Sequence, residues 1–208
     1  MILHMRHFAL VVLVLLAGCS SVTQRPPDLP DNQKQQLWLS HQARIKTFND
    51  WSFTGRLGLR VPKRSGSMSI EWLQKKQEYT IYLDGPFGTS LAHIEGNDQK
   101  VSALLSDGET MTGATPEDLM YQLTGWNLPV SSLKYWVRGL PAPGEQAKVT
   151  LSNDGVPDQI IQHNWQIDYL RFSDEQGVKI PSRIRAESGD IKITLVVNDW
   201  QLKYTHSP

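Results

Sequence analysis

Cys19 is the only thiol in the 208-residue chain, and it stands directly after Leu16-Ala17-Gly18. A lone cysteine has no disulfide partner in its own chain, so its chemistry is that of one sulfur nucleophile open to modification. The residues before it narrow the modification: Arg6, an apolar run from Phe8 to Leu16, then small residues. A charged opening, a short apolar run and a small-residue cleavage site compose a secretory signal. The run falls short of the roughly 20 apolar residues that a helical membrane span needs. Catalytic chemistry finds little support elsewhere. Gly88-Thr89-Ser90-Leu91-Ala92 loosely mimics a Gly-x-Ser-x-Gly nucleophile elbow, but that motif needs a helix after it, and a strand pattern follows here. His93, His163 and His206 are scattered without metal-ligand spacing, and no Gly-x-x-x-x-Gly-Lys-Ser/Thr phosphate loop occurs. The expectation is a protein that is no enzyme, with no catalytic residues, metal or cofactor.

Leu16-Ala17-Gly18-Cys19 resembles the bacterial lipobox. That likeness implies diacylglyceryl transfer to the thiol before cleavage, leaving Cys19 as the acylated first residue. An ordinary signal with a chance cysteine is the bland alternative. A buried methylene contributes about 0.8 kcal/mol to membrane binding and one acyl chain holds only marginally; the lipobox implies three chains and very slow detachment. Ser20 stands where an aspartate commonly retains such proteins at the inner membrane, which implies the outer membrane, facing the periplasm. Met1 and Met5 both fit as the start. Removing residues 1–18, whose only charge is Arg6, leaves 190 residues with 20 basic and 21 acidic side chains. That length is enough for one domain with a sizeable core, and the near-neutral balance gives no support for nucleic-acid binding.

The elements follow from spacing. Ser20 to Asn32, with Pro26, Pro27 and Pro30, reads as a flexible tether behind the acylated residue (19–32), and residues 33–208 as the domain. Gln33 to Phe48 is expected as a first amphipathic helix, since Leu37, His41, Ile45 and Phe48 recur at helical spacing. Period-two alternation then predicts strands through Trp51–Val61, Met68–Leu73 and Tyr79–Leu83, with weaker ones at Leu91–Gly96 and Val101–Leu105 and a turn at Asp107-Gly108. Thr115-Pro116-Glu117-Asp118 is a helix start, ending at Gly125. Ser131 or Ser132 starts another that ends at Gly139. Strands resume at Trp165–Tyr169 and Val178–Ala186, where Pro181 marks an edge or a bulge. After a turn at Ser188-Gly189-Asp190, Ile191, Ile193, Leu195 and Val197 fall on odd numbers, while Trp200, Leu202 and Tyr204 fall on even ones. The change of parity predicts a bulge near Asn198-Asp199. A large antiparallel sheet with three small helices must curl to bury its apolar face. The fold class is mainly β: a strongly curved, incomplete antiparallel barrel with a small helical lid over a hydrophobic cavity.

Leu123-Thr124-Gly125-Trp126-Asn127-Leu128-Pro129-Val130, continued by Leu133 and Tyr135-Trp136-Val137-Arg138-Gly139-Leu140-Pro141, resembles the LolB family of outer-membrane lipoprotein receptors. Trp38 and His41, Trp51 with Gly55-Arg56-Leu57, the lipobox and Asn198-Asp199-Trp200 extend the likeness over nearly the whole mature chain. The resemblance implies a half-barrel whose cavity accepts the acyl chains of lipoprotein cargo from the periplasmic carrier LolA. The cargo then passes into the outer membrane without a nucleotide. It implies a monomer whose partners are that carrier, the acylated cargo and outer-membrane lipids. The residues alone also fit a lipoprotein that carries another amphiphile such as phospholipid, or an envelope spacer with a solid core.

Gly85-Pro86-Phe87-Gly88 suits a type I turn with Phe87 at its apex. Family relatives carry a leucine there, on a protruding loop implicated in membrane insertion of cargo; the alternative is a turn folded back onto the core. If the first strands form a meander, Lys63 and Arg64 lie at the same end as Phe87. They are membrane contacts or solvated turn charges. Met68, Ile70, Trp72, Tyr79, Ile81 and Leu83 are expected on the concave side, covered by Leu119, Leu123, Leu133 and Trp136. For each, acyl-chain contact and ordinary core packing stay equally open. Arg56 is in phase with the polar face, and His41 is either bonded within the lid or solvated.

Overall fold

Strand β1 (Asp50–Val61) occupies the centre of a single antiparallel sheet of eleven strands. The computed structural model describes residues 28–62, 64–97, 99–125 and 128–203. After helix α1 (Asp31–Lys46), β1 leads into β2 (Arg64–Lys75), β3 (Glu78–Asp84), β4 (Ser90–Gly96), β5 (Val101–Leu105) and β6 (Thr110–Gly113). Helices α2 (Pro116–Thr124) and α3 (Val130–Trp136) follow. A second meander then runs through β7 (Lys148–Leu151), β8 (Pro157–Gln162), β9 (Trp165–Glu175), β10 (Val178–Ser188) and β11 (Ile191–Lys203). The spatial order is β6-β5-β4-β3-β2-β1-β11-β10-β9-β8-β7, so the last strand returns to pair with the first and the sheet stays open between β6 and β7.

That topology dictates the lid. The chain leaves the sheet at one free edge, β6, and re-enters at the other, β7. Residues 114–147 must therefore cross the open side, and they carry α2 and α3 over the apolar face as they do so. The concave side is lined by Trp51 and Phe53 of β1, Ile70 and Trp72 of β2, Ile81 of β3 and Ile94 of β4. Ala103, Ile160, Ile167, Ile184, Leu195 and Trp200 continue it, all buried. The fold class matches the sequence expectation: mainly β, curved and unclosed, with three α-helices among the described residues.

Curvature is set by irregularities of register. Thr54 pairs with Asp199 and Gly55 with Val197, so Asn198 is the extra residue behind the parity change. Gly55 is required there: a Cβ on it would stand 2.4 Å from the Val196 carbonyl oxygen. Pro181 sits at a second shift, between β10 and β9, in a part of β10 beyond its pairing with β11. Edge and bulge are thus both realised, and the freed Pro181 carbonyl accepts from Trp200 Nε1 at 2.9 Å.

Several local expectations shift. Helix α1 opens at Asp31 rather than Gln33, inside the expected tether, and Leu29 N–H donates to Asn153 Oδ1. Its buried face is Trp38 and Ile45, while Leu37 is 43% exposed. The 152–155 turn lies against the backbone at Leu37, so close that a Cβ on Gly155 would be 2.2 Å from Leu37 Cβ. Helix α3 begins at Val130, and its cap comes from α2: Glu117 accepts from Ser131 N–H at 2.7 Å and from Ser131 Oγ at 3.0 Å. Strands β6, β7 and β8 lie outside the expected set; β6 and β7 alternate exposed and half-buried positions but have only four residues each. Ser90 opens β4, so the strand–turn–helix context of a nucleophile elbow does not form.

Substituting Gly55→Ala should destabilise the domain by about 1–3 kcal/mol, because backbone must move to admit the methyl. Gly58→Ala, three residues along the same strand with nothing nearer than 3.8 Å, should be close to neutral. Urea unfolding of the two variants checks this; equal losses would show that the bulge yields freely.

Candidate functional site

The concave face is an aromatic plate. Phe53 and Trp200 lie 4.9 Å apart by ring centroids, Trp51 and Trp72 5.5 Å, Trp51 and Trp200 5.7 Å, and Trp72 and Tyr79 6.3 Å. Strand register aligns the expected cavity residues: Ile70 faces Leu83 and Trp72 faces Ile81 across β2 and β3. Ile70, Trp72, Ile81, Leu119 and Trp136 are buried; Tyr79, Leu83, Leu123 and Leu133 are partly buried against the same core. Met68 is half-buried at the end of the row. Leu119 and Trp136 of the lid belong to the same buried cluster as the plate.

One glutamine holds the lid down. Gln162, 2% exposed, accepts from Trp136 Nε1 at 3.0 Å and from Ala142 N–H at 2.9 Å. Its amide donates to the carbonyls of Ala142 and Glu145, both at 2.8 Å. Beside it the Tyr169 hydroxyl donates to Trp136 O at 2.9 Å, and burial pushes its pKa well above the ordinary tyrosine range. The α3 end is therefore riveted to β8 and β9. Helix α2 instead rests on β5, β6 and the Glu117–Ser131 contact. Nothing in the sequence distinguishes Gln162 from the chain's other glutamines.

At one end of the sheet the β3–β4 connection makes a built projection. Gly85 N–H donates to Thr89 O at 2.8 Å and Gly88 N–H to Gly85 O at 3.3 Å. Phe87, at its tip, has φ 63° and ψ 20° and is 106% exposed. The left-handed φ rules out the expected type I turn and fits the third position of type II. A non-glycine residue there costs about 1 kcal/mol, and a fully exposed ring returns nothing. The β1–β2 connection shares this end, as the pairings Val61–Arg64 and Ser69–Asp84 require. Lys63 itself lies outside the described residues, as do Cys19, Trp126 and Asn127.

A family model described as "Outer membrane lipoprotein LolB" matches residues 49–200. The chain belongs to the LolB family. The outer-membrane lipoprotein LolB of Pseudomonas paraeruginosa is 37% identical over 189 residues, covering 91% of this chain and 92% of that one. The Pseudomonas putida F1 protein of the same name is 36% identical over 198 residues, covering 95% and 96%. Among solved structures, a DUF1329 family protein from Desulfovibrio piger is similar in fold alone, with a TM-score of 0.55 at 8% identity over 87% of this chain and 96% of that one. LolB membership makes the chain an outer-membrane lipoprotein of the Lol pathway.

The segment that carried the LolB likeness is the lid. Gly125 caps α2 in the left-handed conformation, and Trp136 is the residue locked by Gln162. Gly139, at φ 77°, turns the chain where a Cβ would lie 3.3 Å from Pro181 Cγ and 3.5 Å from Pro157 Cγ. Arg138, for which the sequence suggested no role, is half-buried. Its Nε donates to Lys134 O at 3.0 Å and its Nη1 to Phe48 O at 3.2 Å. Burial lowers its pKa to about 10. His41 stacks on Trp38 at 5.8 Å, its Nε2 buried without a partner. Burial first, then Arg44 and Lys179, lower its pKa to about 4.

Gln162→Leu should cost about 3 kcal/mol, since it strands two donors and two carbonyls in the interior; urea unfolding measures it, and a loss under about 1 kcal/mol would mean the lid is held otherwise. For His41 the folded pKa lies below the unfolded one, so its contribution is intact above about pH 6.5 and is lost as pH falls toward 4. Between pH 7 and pH 4.5 the melting temperature should therefore drop further in the wild type than in His41→Gln. Equal drops would place the imidazole in solvent.

Proposed function

We propose that this protein is an acyl-chain receptor, anchored in the outer membrane through Cys19 and facing the periplasm. It takes lipoproteins from the periplasmic carrier LolA and inserts them into the outer membrane. No catalysis or nucleotide is involved: cargo moves downhill between successive apolar sites toward the bilayer. Met68, Ile70, Trp72, Tyr79, Ile81 and Leu83 form the floor that receives the chains, and Leu119, Leu123, Leu133 and Trp136 are the cover displaced as they enter. Residues before α1 are the tether.

The observation that carries this reading is Phe87, a fully exposed aromatic ring held in an unfavourable backbone conformation by a hydrogen-bonded turn. Burying one phenylalanine is worth about 1.5–3 kcal/mol. That is enough to orient an already anchored domain, and too little to bind alone. Its place at the tip of the shell's end suits a wedge that meets lipid while cargo leaves.

In a reconstituted transfer from loaded carrier to liposomes, Phe87→Glu should retain cargo acceptance and lose most membrane delivery. Phe87→Gly should lose delivery too, without loss of thermal stability. Normal delivery by Phe87→Glu, loss of cargo acceptance, or destabilisation by more than about 1 kcal/mol in the glycine variant, would contradict the role.

A further inference from the structure

A second site lies at the opposite end of the shell from Phe87. Between the C-terminal end of α1, the β2–β3 turn and the segment after α3 there is a cleft of about 520 Å³. Lys46, Lys76, Lys134 and Arg138 line it, and no aspartate or glutamate does. One wall is apolar and aromatic, formed by Trp51, Tyr135, Leu140 and Pro141 to Pro143, and the neutral amides of Gln42, Asn49, Gln74 and Gln77 complete the lining. Asp50, on the same rim, is turned to the backbone N–H of Lys76 at 3.0 Å and does not line the cleft.

Arg138 is the unusual member. A cation partly withdrawn from water is commonly matched by a carboxylate, because an unmatched one carries its desolvation cost alone. Among the described residues none pairs with Arg138; both of its hydrogen bonds end on neutral carbonyls. Its guanidinium carbon sits 5.5 Å from the Trp51 ring centroid and 5.9 Å from that of Tyr135. These contacts fix the planar fork in place beside an apolar wall, an arrangement suited to oxyanions. The lowered pKa of Arg138 agrees with a charge that lacks its counter-ion.

We propose that this cleft is a binding site for the phosphate-bearing head of an anionic amphiphile, with the head among Lys46, Lys76 and Arg138 and its first apolar atoms against Trp51, Tyr135 and Leu140. A concave space of this size suits one headgroup rather than a protein surface. Because it opens at the end away from Phe87, a lipid held there is not part of the bilayer that the Phe87 turn meets; it is a single molecule carried by the shell. The site stands apart from the cargo reading. Its probe contains no lipoprotein, and its test leaves Phe87 and the concave strands unchanged.

The experiment is isothermal titration of the mature chain with dihexanoyl phosphatidylglycerol below its micelle concentration. Dihexanoyl phosphatidylcholine and inorganic phosphate are the comparison ligands. Phosphatidylglycerol should bind, more weakly as salt is raised. The Lys46→Gln, Lys76→Gln double variant, altered only at exposed side chains, should bind it about tenfold more weakly, the effect of about 1.4 kcal/mol, with an unchanged circular dichroism spectrum. Phosphatidylcholine and free phosphate should each bind more weakly than phosphatidylglycerol. Absence of phosphatidylglycerol binding, or binding that ignores the two substitutions, overturns the site. Phosphatidylcholine equal to phosphatidylglycerol removes the anionic selectivity, and free phosphate equal to the lipid removes the amphiphile; either result overturns the assignment as stated.

Discussion

An open sheet with one apolar face and two free edges leaves the chain a single way to finish the fold. It must carry its connection from β6 to β7 across the exposed side. That constraint makes the lid a consequence of topology, and it explains why α2 and α3 are short. They need to bridge and cover, and the β1–β11 pairing already joins the two halves of the sheet behind them. The apolar face is thereby covered, together with α1, by a stretch of chain that is not part of the ladder. Such a cover can lift while the sheet's hydrogen bonds stay intact.

The lid is fastened unevenly. At its C-terminal end, Trp136 is held by Gln162 and the Tyr169 hydroxyl, and Gly139 packs between two prolines. At its N-terminal end, α2 lies on β5 and β6 through Leu119, and its polar tie is an exposed carboxylate–serine contact. An exposed contact of that kind contributes little, whereas the Gln162 network is buried and complete. The physical division is between a riveted half and a resting half, and Leu123 and Leu133 lie between them, partly buried. The two ends of the shell differ as well. One presents an apolar tip, the other a cationic cleft beside an aromatic wall.

What could be read in the sequence was whatever local chemistry decides. The Thr115 cap, its donor Asp118 N–H at 3.1 Å and the Gly125 stop are settled within one helix. The parity change around Asn198 betrayed the bulge, because a period of two tolerates no unmarked extra residue. That Ile70, Trp72 and Ile81 share one buried side could be read because alternation says which side chains face together. The illegible features were those that distant neighbours decide. Strands β6 and β7 alternate over only four residues each, too few to stand out from a loop, and Ile160-Ile161 hides the alternation of β8. Trp38 rather than Leu37 shares the buried face of α1 with Ile45, and the Gly155 backbone beside Leu37 comes from far along the chain. Gln162 and Arg138 gain their roles only from surroundings that the fold assembles. Proline at the second position of the Phe87 turn is common to types I and II, so only the backbone could show which one forms.

The central claim is that the concave face, and not the outer one, meets the cargo's acyl chains. A photoreactive residue at Leu83, on the inner face of β3, can be compared with one at Tyr82, its exposed neighbour on the outer face. During transfer of a lipoprotein with labelled acyl chains, the account predicts labelling from position 83 and none from position 82. Labelling from the outer position alone, or from neither while transfer proceeds, would contradict it.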